Sequence, residues 1–193
     1  MIIRRLPENI VNQIAAGEVI ERPFAAIKEL VENSIDAGAS KIEVFIRNGG
    51  KSLISVSDNG IGMDKEDLAL AVERHATSKL PDDDLVNIAT LGFRGEALPS
   101  IASVSRLKII SRKKDGDAFE INVEGGNKLP ITPASHNQGT KIEVRDLFYA
   151  TPARLKFLKS DKAENQRIRE VLENLAMAYP DISFTLSSEE KNI

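Results

Sequence analysis

Lys28-Glu29-Leu30-Val31-Glu32-Asn33-Ser34-Ile35-Asp36-Ala37-Gly38, followed after two residues by Lys41-Ile42-Glu43-Val44-Phe45-Ile46-Arg47, is the stretch that decides the fold. Its first half carries Ile27, Leu30, Val31 and Ile35 at i, i+3, i+4 and i+8, the stripe of an amphipathic helix. Pro23 opens that helix and Gly38 lies just past its end. The second half alternates, with Ile42, Val44 and Ile46 on one face, as a strand with one buried side does. Asn48-Gly49-Gly50 is a turn, and residues 53–57 return as the second strand of a hairpin.

Working outward, residues 7–16 read as a helix with Ile10, Val11 and Ile14 on one side, Pro7 in its first turn and Gly17 after its end. Asp64 caps a helix over 65–74. Residues 75–93 hold only weak periodicity and the acidic run Asp82-Asp83-Asp84, which reads as a long mobile loop with a short helix at 85–89. A helix follows over 94–102, then strands over 106–112, 119–124 and 140–145. Asp161 with Glu164 reads as a capping box. It opens the clearest helix, with Ile168, Val171, Leu172, Leu175, Ala176 and Tyr179 on one side and Pro180 after it; a last strand covers 182–186. Strands in hairpin-like runs predict an α+β fold, a mixed, mostly antiparallel sheet with helices on one face.

Composition narrows the function. The 193 residues are 41% hydrophobic and 28% charged, which suits a globular domain and argues against disorder. Lys+Arg 26 against Asp+Glu 29 leaves a net charge of −3, so any nucleic-acid contact must be a local patch. Without Cys there is no disulfide, thiolate zinc site or thiol nucleophile. The two histidines, His75 and His136, are far apart, which makes a histidine metal site a poor reading. The N-terminus lacks the apolar core of a signal peptide, and no uncharged run nears the ~18 residues of a membrane span. The default expectation is a soluble cytoplasmic protein without membrane contact.

Four elements can carry chemistry. Glu29 and Asn33 are four apart and share a helix face nearly opposite the apolar stripe, flanked by Glu32 and Asp36. That face is either solvated, or it presents a carboxylate able to act as a base beside an amide oxygen able to ligate Mg²⁺. Asp58-Asn59-Gly60-Ile61-Gly62-Met63 follows a strand; it is either a plain turn or an acceptor for an exocyclic amine such as adenine's, with glycines leaving room for a flat ring. Leu91-Gly92-Phe93-Arg94-Gly95-Glu96-Ala97-Leu98 puts glycines before a helix, which suits a phosphate or a hinge as well as an ordinary junction. Gly139-Thr140 enters a strand, with a hydroxyl in reach of a ligand or of Asp58. No G-x-x-x-x-G-K-[ST] string occurs, which rules out a P-loop.

In order and spacing these elements resemble the GHKL ATPases, the superfamily of gyrase, certain heat-shock chaperones, histidine kinases and MutL, and most closely its MutL-type mismatch repair family. The resemblance is carried by Asn12-Gln13-Ile14-Ala15-Ala16-Gly17-Glu18-Val19, by Lys28 to Gly38, and by Asp58-Asn59-Gly60-Ile61-Gly62. Arg74-His75-Ala76-Thr77-Ser78-Lys79, Gly92-Phe93-Arg94-Gly95-Glu96-Ala97-Leu98, and Asp146-Leu147-Phe148-Tyr149-Ala150-Thr151-Pro152-Ala153-Arg154 complete it, so it spans essentially the whole chain.

The resemblance implies a two-layer α/β sandwich that binds Mg-ATP between its helices and a flexible lid. It implies Glu29 as general base, Asn33 as Mg²⁺ ligand and Asp58 as reader of the adenine amine. Gly60, Gly62 and Met63 then lie beside the ring, with Thr140 deeper. Thr77, Ser78, Lys79 and the run Gly92, Phe93, Arg94, Gly95, Glu96, Ala97 and Leu98 belong to the lid and phosphate region. Residues 1–20 form an arm and first helix that make a dimer contact, and 21–193 the ATP-binding domain. A second domain supplying a lysine to the γ-phosphate, and a C-terminal dimerisation region, are expected beyond the chain, so the fragment is expected to bind nucleotide but turn it over slowly.

The implied partners are a second copy in the ATP state, a MutS-type mismatch recognition protein, and a downstream nuclease and helicase, in the bacterial cytoplasm near the nucleoid. Two alternatives share the pocket, the ATPase domain of a type II topoisomerase and a nucleotide-gated scaffold without hydrolysis; a purely structural interaction domain is the third. Arg106, Lys108, Arg112, Lys113 and Lys114 offer weak DNA contact or, equally, a charged edge strand. Arg154, Lys156, Lys159 and Lys162 read as a solvated face, and His75 as a lid or structural histidine.

Overall fold

The period-2 runs become one sheet and the period-3.6 runs its covering layer. The computed structural model describes residues 4–74, 76 and 95–189. In chain order its helices are α1 (Glu8–Val19), α2 (Pro23–Asp36), α3 (Lys65–Ala71), α4 (Ala97–Val104), α5 (Pro152–Leu155) and α6 (Asp161–Ala178). The strands are β1 (Lys41–Arg47), β2 (Leu53–Asp58), β3 (Arg106–Arg112), β4 (Ala118–Glu124), β5 (Asn127–Lys128), β6 (Thr132–Ala134), β7 (Gly139–Arg145) and β8 (Ser183–Ser188).

Among the described residues the sheet runs β5-β4-β3-β7-β2-β1-β8, with β6 on β4. Its pairs are antiparallel except β1 with β8, so the sheet is mixed, as expected. The helices pack on one face. Beneath them the register lines up apolar rows: Ile46, Ile54, Val144, Leu107 and Val123, then Val44, Val56, Ile142, Ile109 and Ile121. All ten are buried, and each such side chain contributes about 1.5–3 kcal/mol by leaving water. The next row along the same face is Ile42, Asp58, Thr140, Ser111 and Phe119, so the core turns polar at this end of the central strands.

The α2 stripe behaves as its spacing predicts, with Ile27, Leu30 and Val31 fully buried. The helix closes in a Schellman motif, in which Gly38 N donates to Ile35 O at 2.9 Å and Ala39 N to Ser34 O at 3.2 Å. Gly38 adopts φ +70, which glycine takes without strain.

Several expectations are corrected. Helix α1 starts after Pro7, which is its N-cap, and continues through Gly17 to Val19. Its Ile10, Val11 and Ile14 are exposed, at 36%, 45% and 54%, while Ala16 and Ile20 turn inward. Gly17 is helical rather than terminal, and a Cβ there would lie 1.6 Å from the Arg154 guanidinium, which donates to Gly17 O at 2.9 Å. Arg154 is therefore half-buried against α1 and not part of a solvated face.

Helix α4 begins at Ala97, after Gly95, whose φ of +62 is not helical. The cap of α6 is Ser160, whose Oγ accepts from Ala163 N. Glu164 instead reaches back to Lys159 N at 2.9 Å and pairs with Arg22 at 3.0 Å. Strand β3 is interior, between β4 and β7, so its cations decorate an open sheet face and not an edge. The expected helix at 85–89 lies outside the described residues. No described helix is long and apolar enough to cross a membrane.

Candidate functional site

Asp58 is the last residue of β2 and takes the inward slot after Ile54 and Val56. Ser34, one helical turn after Leu30 on the core side of α2, meets it from above: Ser34 Oγ donates to Asp58 Oδ2 at 2.8 Å. Gly60 N and Thr140 N donate to Oδ1 at 2.9 and 3.3 Å. A carboxylate offers about four acceptor positions, so the fold fills three and leaves one, on Oδ2. Burial pushes the Asp58 carboxyl above its ordinary value of 3.8, against the lowering effect of these three donors and of nearby His136.

The turn after Asp58 is packed too closely for side chains. A Cβ on Gly60 would stand 2.7 Å from Ala37 O. Gly62 has φ +69, and a Cβ there would stand 1.9 Å from Arg112 O. The volume its missing Cβ vacates is thus filled by the end of β3, a packing reason for the glycine that sequence reading did not supply. Met63 N donates to Ser111 Oγ at 2.8 Å, which ties the turn to the same strand. Gln138 Nε2 donates to Gly60 O at 3.3 Å from the other side.

The Thr140 hydroxyl was expected to reach Asp58 or a ligand. Its backbone N–H makes the Asp58 contact, and Oγ1 lies 2.8 Å from Ser111 Oγ. Ser111, fully buried, and Ser34 are the two site residues that motif reading missed. A signal for Ser111 existed: Leu107, Ile109 and Ser111 are the inward positions of β3, and a serine there interrupts an otherwise apolar face.

Glu29 and Asn33 sit one turn apart on α2, both half-buried. Their neighbour Glu32 is buried and engaged with Lys28 at 3.0 Å. Gly95, Glu96, Ala97 and Leu98 form the approach to α4 and its first turn. A Cβ on Gly95 would meet Ala76 O at 2.5 Å, and Arg74 Nε lies 3.7 Å from Glu96, so the two ends of the stretch 77–94 stand side by side. His75, Thr77, Ser78, Lys79, Gly92, Phe93 and Arg94 lie outside the described residues.

Most of the suggested DNA-facing cations are engaged within the chain. Arg106 pairs with Asp146 and stacks on Tyr149, and Lys108 pairs with Glu120 at 2.8 Å. Lys113 bridges Asp64 and Asp67 at 2.7 and 2.5 Å. Arg112 donates to the Gly116 and His136 carbonyls.

A family model described as histidine kinase-, DNA gyrase B-, and HSP90-like ATPase matches residues 20–126, which hold α2, β1, β2 and the Asp58 turn. The chain is 61% identical over 192 residues to the DNA mismatch repair protein MutL of Rhodopseudomonas palustris, covering 99% of this chain and 32% of that protein. It is 62% identical over 194 residues to MutL of Paramagnetospirillum magneticum, covering 100% and 32%. The chain thus spans about a third of the length of the curated relatives it matches.

Among solved structures it resembles the Aquifex aeolicus MutL ATPase domain complexed with ADP, with TM-score 0.74 and 41% identity over 89% of this chain and 61% of that one. The N-terminal domain of a DNA repair protein superposes with TM-score 0.79 and 32% identity, over 94% and 53%. With the model match covering more than half of the chain, this chain belongs to the histidine kinase-, DNA gyrase B- and HSP90-like ATPases, and along its whole length it is similar to MutL proteins.

Proposed function

We propose that this domain binds Mg-ATP between α2 and the polar end of the sheet, hydrolyses it, and uses the nucleotide to close a lid and pair two copies through their N-terminal segments. The observation that carries this reading is Asp58: a buried carboxylate with three donors supplied by the fold and one acceptor position left over. An exocyclic amine donates one N–H there, whereas a guanine carbonyl in its place is repelled. The ADP complex of the Aquifex aeolicus MutL ATPase domain supports a nucleotide in this fold.

In this reading Gly60, Gly62 and Met63 line the base and Thr140 the pocket floor, while Glu29 faces the terminal phosphate. Water attacks the γ-phosphorus and its proton passes to the Glu29 carboxylate. The bond to the bridging oxygen breaks, and its electron pair leaves with ADP. Asn33 fits a Mg²⁺ site of the usual kind, in which one protein oxygen is completed by waters and phosphates. The metal supplies charge neutralisation on the phosphates. Lys79 and the segment from Gly92 to Leu98 bind phosphate and form the lid.

A γ-phosphate that holds the lid closed shifts the population toward the paired form. The exposed Ile10, Val11 and Ile14 on α1 suit that contact. In the longer protein the cycle couples a MutS-type mismatch sensor to a nuclease and helicase.

Glu29→Ala tests the core of this reading. ATP binding is retained and hydrolysis drops by at least a hundredfold, the size of a general-base contribution. Hydrolysis at the parent rate in that variant removes Glu29 from the mechanism.

A further inference from the structure

The chain contains two Asn-Gly pairs, Asn48-Gly49 in the β1–β2 turn and Asn59-Gly60 after β2. This dipeptide is prone to spontaneous deamidation, because glycine has no side chain to shield its amide nitrogen. The glycine nitrogen, freed of its proton by base, attacks the side-chain carbonyl carbon of the asparagine. A new C–N bond closes a five-membered imide, the C–N bond to the side-chain nitrogen breaks, and ammonia leaves with the proton that the backbone gave up. Water then opens the ring at either carbonyl and yields aspartate or isoaspartate. The reaction consumes only water, but it requires side chain and backbone to turn toward each other. The fold decides which pair is free to do so.

Asn59 is held on every side. Its Oδ1 accepts from Ser40 N at 3.0 Å and Lys41 N at 2.9 Å, and its Nδ2 donates to Ser40 Oγ at 2.9 Å. The nitrogen that would attack is engaged too, since Gly60 N donates to Asp58 Oδ1 at 2.9 Å. Asn48 differs. It is exposed, and its side chain makes no hydrogen bond among the described residues. Strand pairing ends at Arg47 with Leu53, and Lys51 N donates to Asn48 O at 3.1 Å to close the turn. Asn48 has φ +49, a left-handed conformation less favourable than the right-handed one for a residue with a Cβ, so its own backbone does not oppose turning out of it. We propose that Asn48 is a deamidation site of the folded protein, whereas Asn59, with the same dipeptide, is protected by its hydrogen bonds.

The product lands on a packed turn. A Cβ on Gly49 would stand 2.8 Å from Glu164 Cβ and 3.1 Å from Asp161 Cα, so the turn lies directly against the start of α6. Isoaspartate routes the main chain through the former side chain and lengthens the backbone by one carbon. At residue 48 that extra length drives Gly49 into the first turn of α6, where Glu164 is buried. The converted chain is therefore less stable than the parent, through the seat of α6 and not through the Asp58 pocket.

The test is incubation of the 193-residue chain at mildly alkaline pH, with peptide mapping by mass spectrometry to locate the conversion and an isoaspartyl methyltransferase to count isoaspartate. In the folded chain Asn48 should convert about a hundredfold faster than Asn59, the factor expected when Asn59 must first open two or three more hydrogen bonds. In urea, where neither side chain is held, the two should convert at similar rates. Asn48→Gln, whose longer side chain closes its ring far more slowly, should abolish the isoaspartate of the folded chain. The converted chain, separated by its added charge, should melt below the parent. Equal conversion of the two asparagines in the folded chain, faster loss of Asn59, or isoaspartate at the parent level in Asn48→Gln overturns the inference. A converted chain that melts with the parent overturns its consequence for α6.

Discussion

At the scale of single residues, Asp58 couples ligand recognition to pH. Its carboxyl is raised above 3.8 chiefly by burial. The proposed contact needs the ionised acceptor, so ADP affinity should fall as pH drops through that raised value, at higher pH than an ordinary aspartate would give. Because the folded state holds this proton more readily than the unfolded one, Asp58 itself adds stability as pH falls between 3.8 and its raised value. Loss of binding in that window is therefore not loss of the fold at this residue. Asp58→Asn places an amide NH2 group where the ligand amine must donate, and its affinity should be at least tenfold lower at pH 7 and flat across the same window. Titrations from pH 7 downward check this, and a variant that keeps the parent profile removes Asp58 from recognition. Asp58 was legible as a candidate because it ended an apolar strand. Its set of donors was legible only in part: Gly60 is two residues on and Thr140 was in reach, but Ser34 and the Thr140 backbone N–H meet it only when α2 and β7 pack against the end of β2.

Among the elements, α6 is anchored from its first turn. Glu164 is wholly buried, with Arg22 donating through Nε at 3.3 Å and Nη2 at 3.0 Å, and Lys159 N at 2.9 Å. Arg22, the N-cap residue of α2, also lies over Phe24, with Arg167 of α6 on the same ring, so the two helix starts are bound together. Glu164→Ala leaves Arg22 and the Lys159 amide without their acceptor, and should cost about 3–5 kcal/mol. Ser160→Ala removes only the cap of α6 and should cost about 1 kcal/mol. Urea denaturation midpoints with unchanged slopes measure both, and equal losses in the two variants would refute the separation of roles. The sequence pattern placed a cap here one residue late. Both Ser160 and Asp161 are capping residue types, and only the β/extended backbone of Ser160, φ −60 and ψ 153, decides between them.

For the whole molecule, the exposed stripe on α1 is the feature that monomer packing leaves unexplained. Leu6, just before α1, and Ile10, Val11 and Ile14 on it are 44%, 36%, 45% and 54% exposed, while the opposite side of the helix rests on α4. If that stripe pairs two copies in the nucleotide state, Ile14→Lys should leave the melting temperature within about 2 °C of the parent, as exposed substitutions do. The same variant should lose the dimer seen by sedimentation with a non-hydrolysable ATP analogue and Mg²⁺. A dimer that survives the lysine rules α1 out as the contact.

The sequence by itself determined the helices α2 and α6, the β1–β2 hairpin, the one-sided sheet and the family, because periodicity and motif order are local and are written residue by residue. Only the tertiary structure decided that β3 is interior and that the α1 stripe faces outward. It alone joined the polar row of Asp58, Thr140 and Ser111 by hydrogen bonds. Strand order, helix rotation and hydrogen-bond partners depend on which distant segments meet, and no local pattern encodes that.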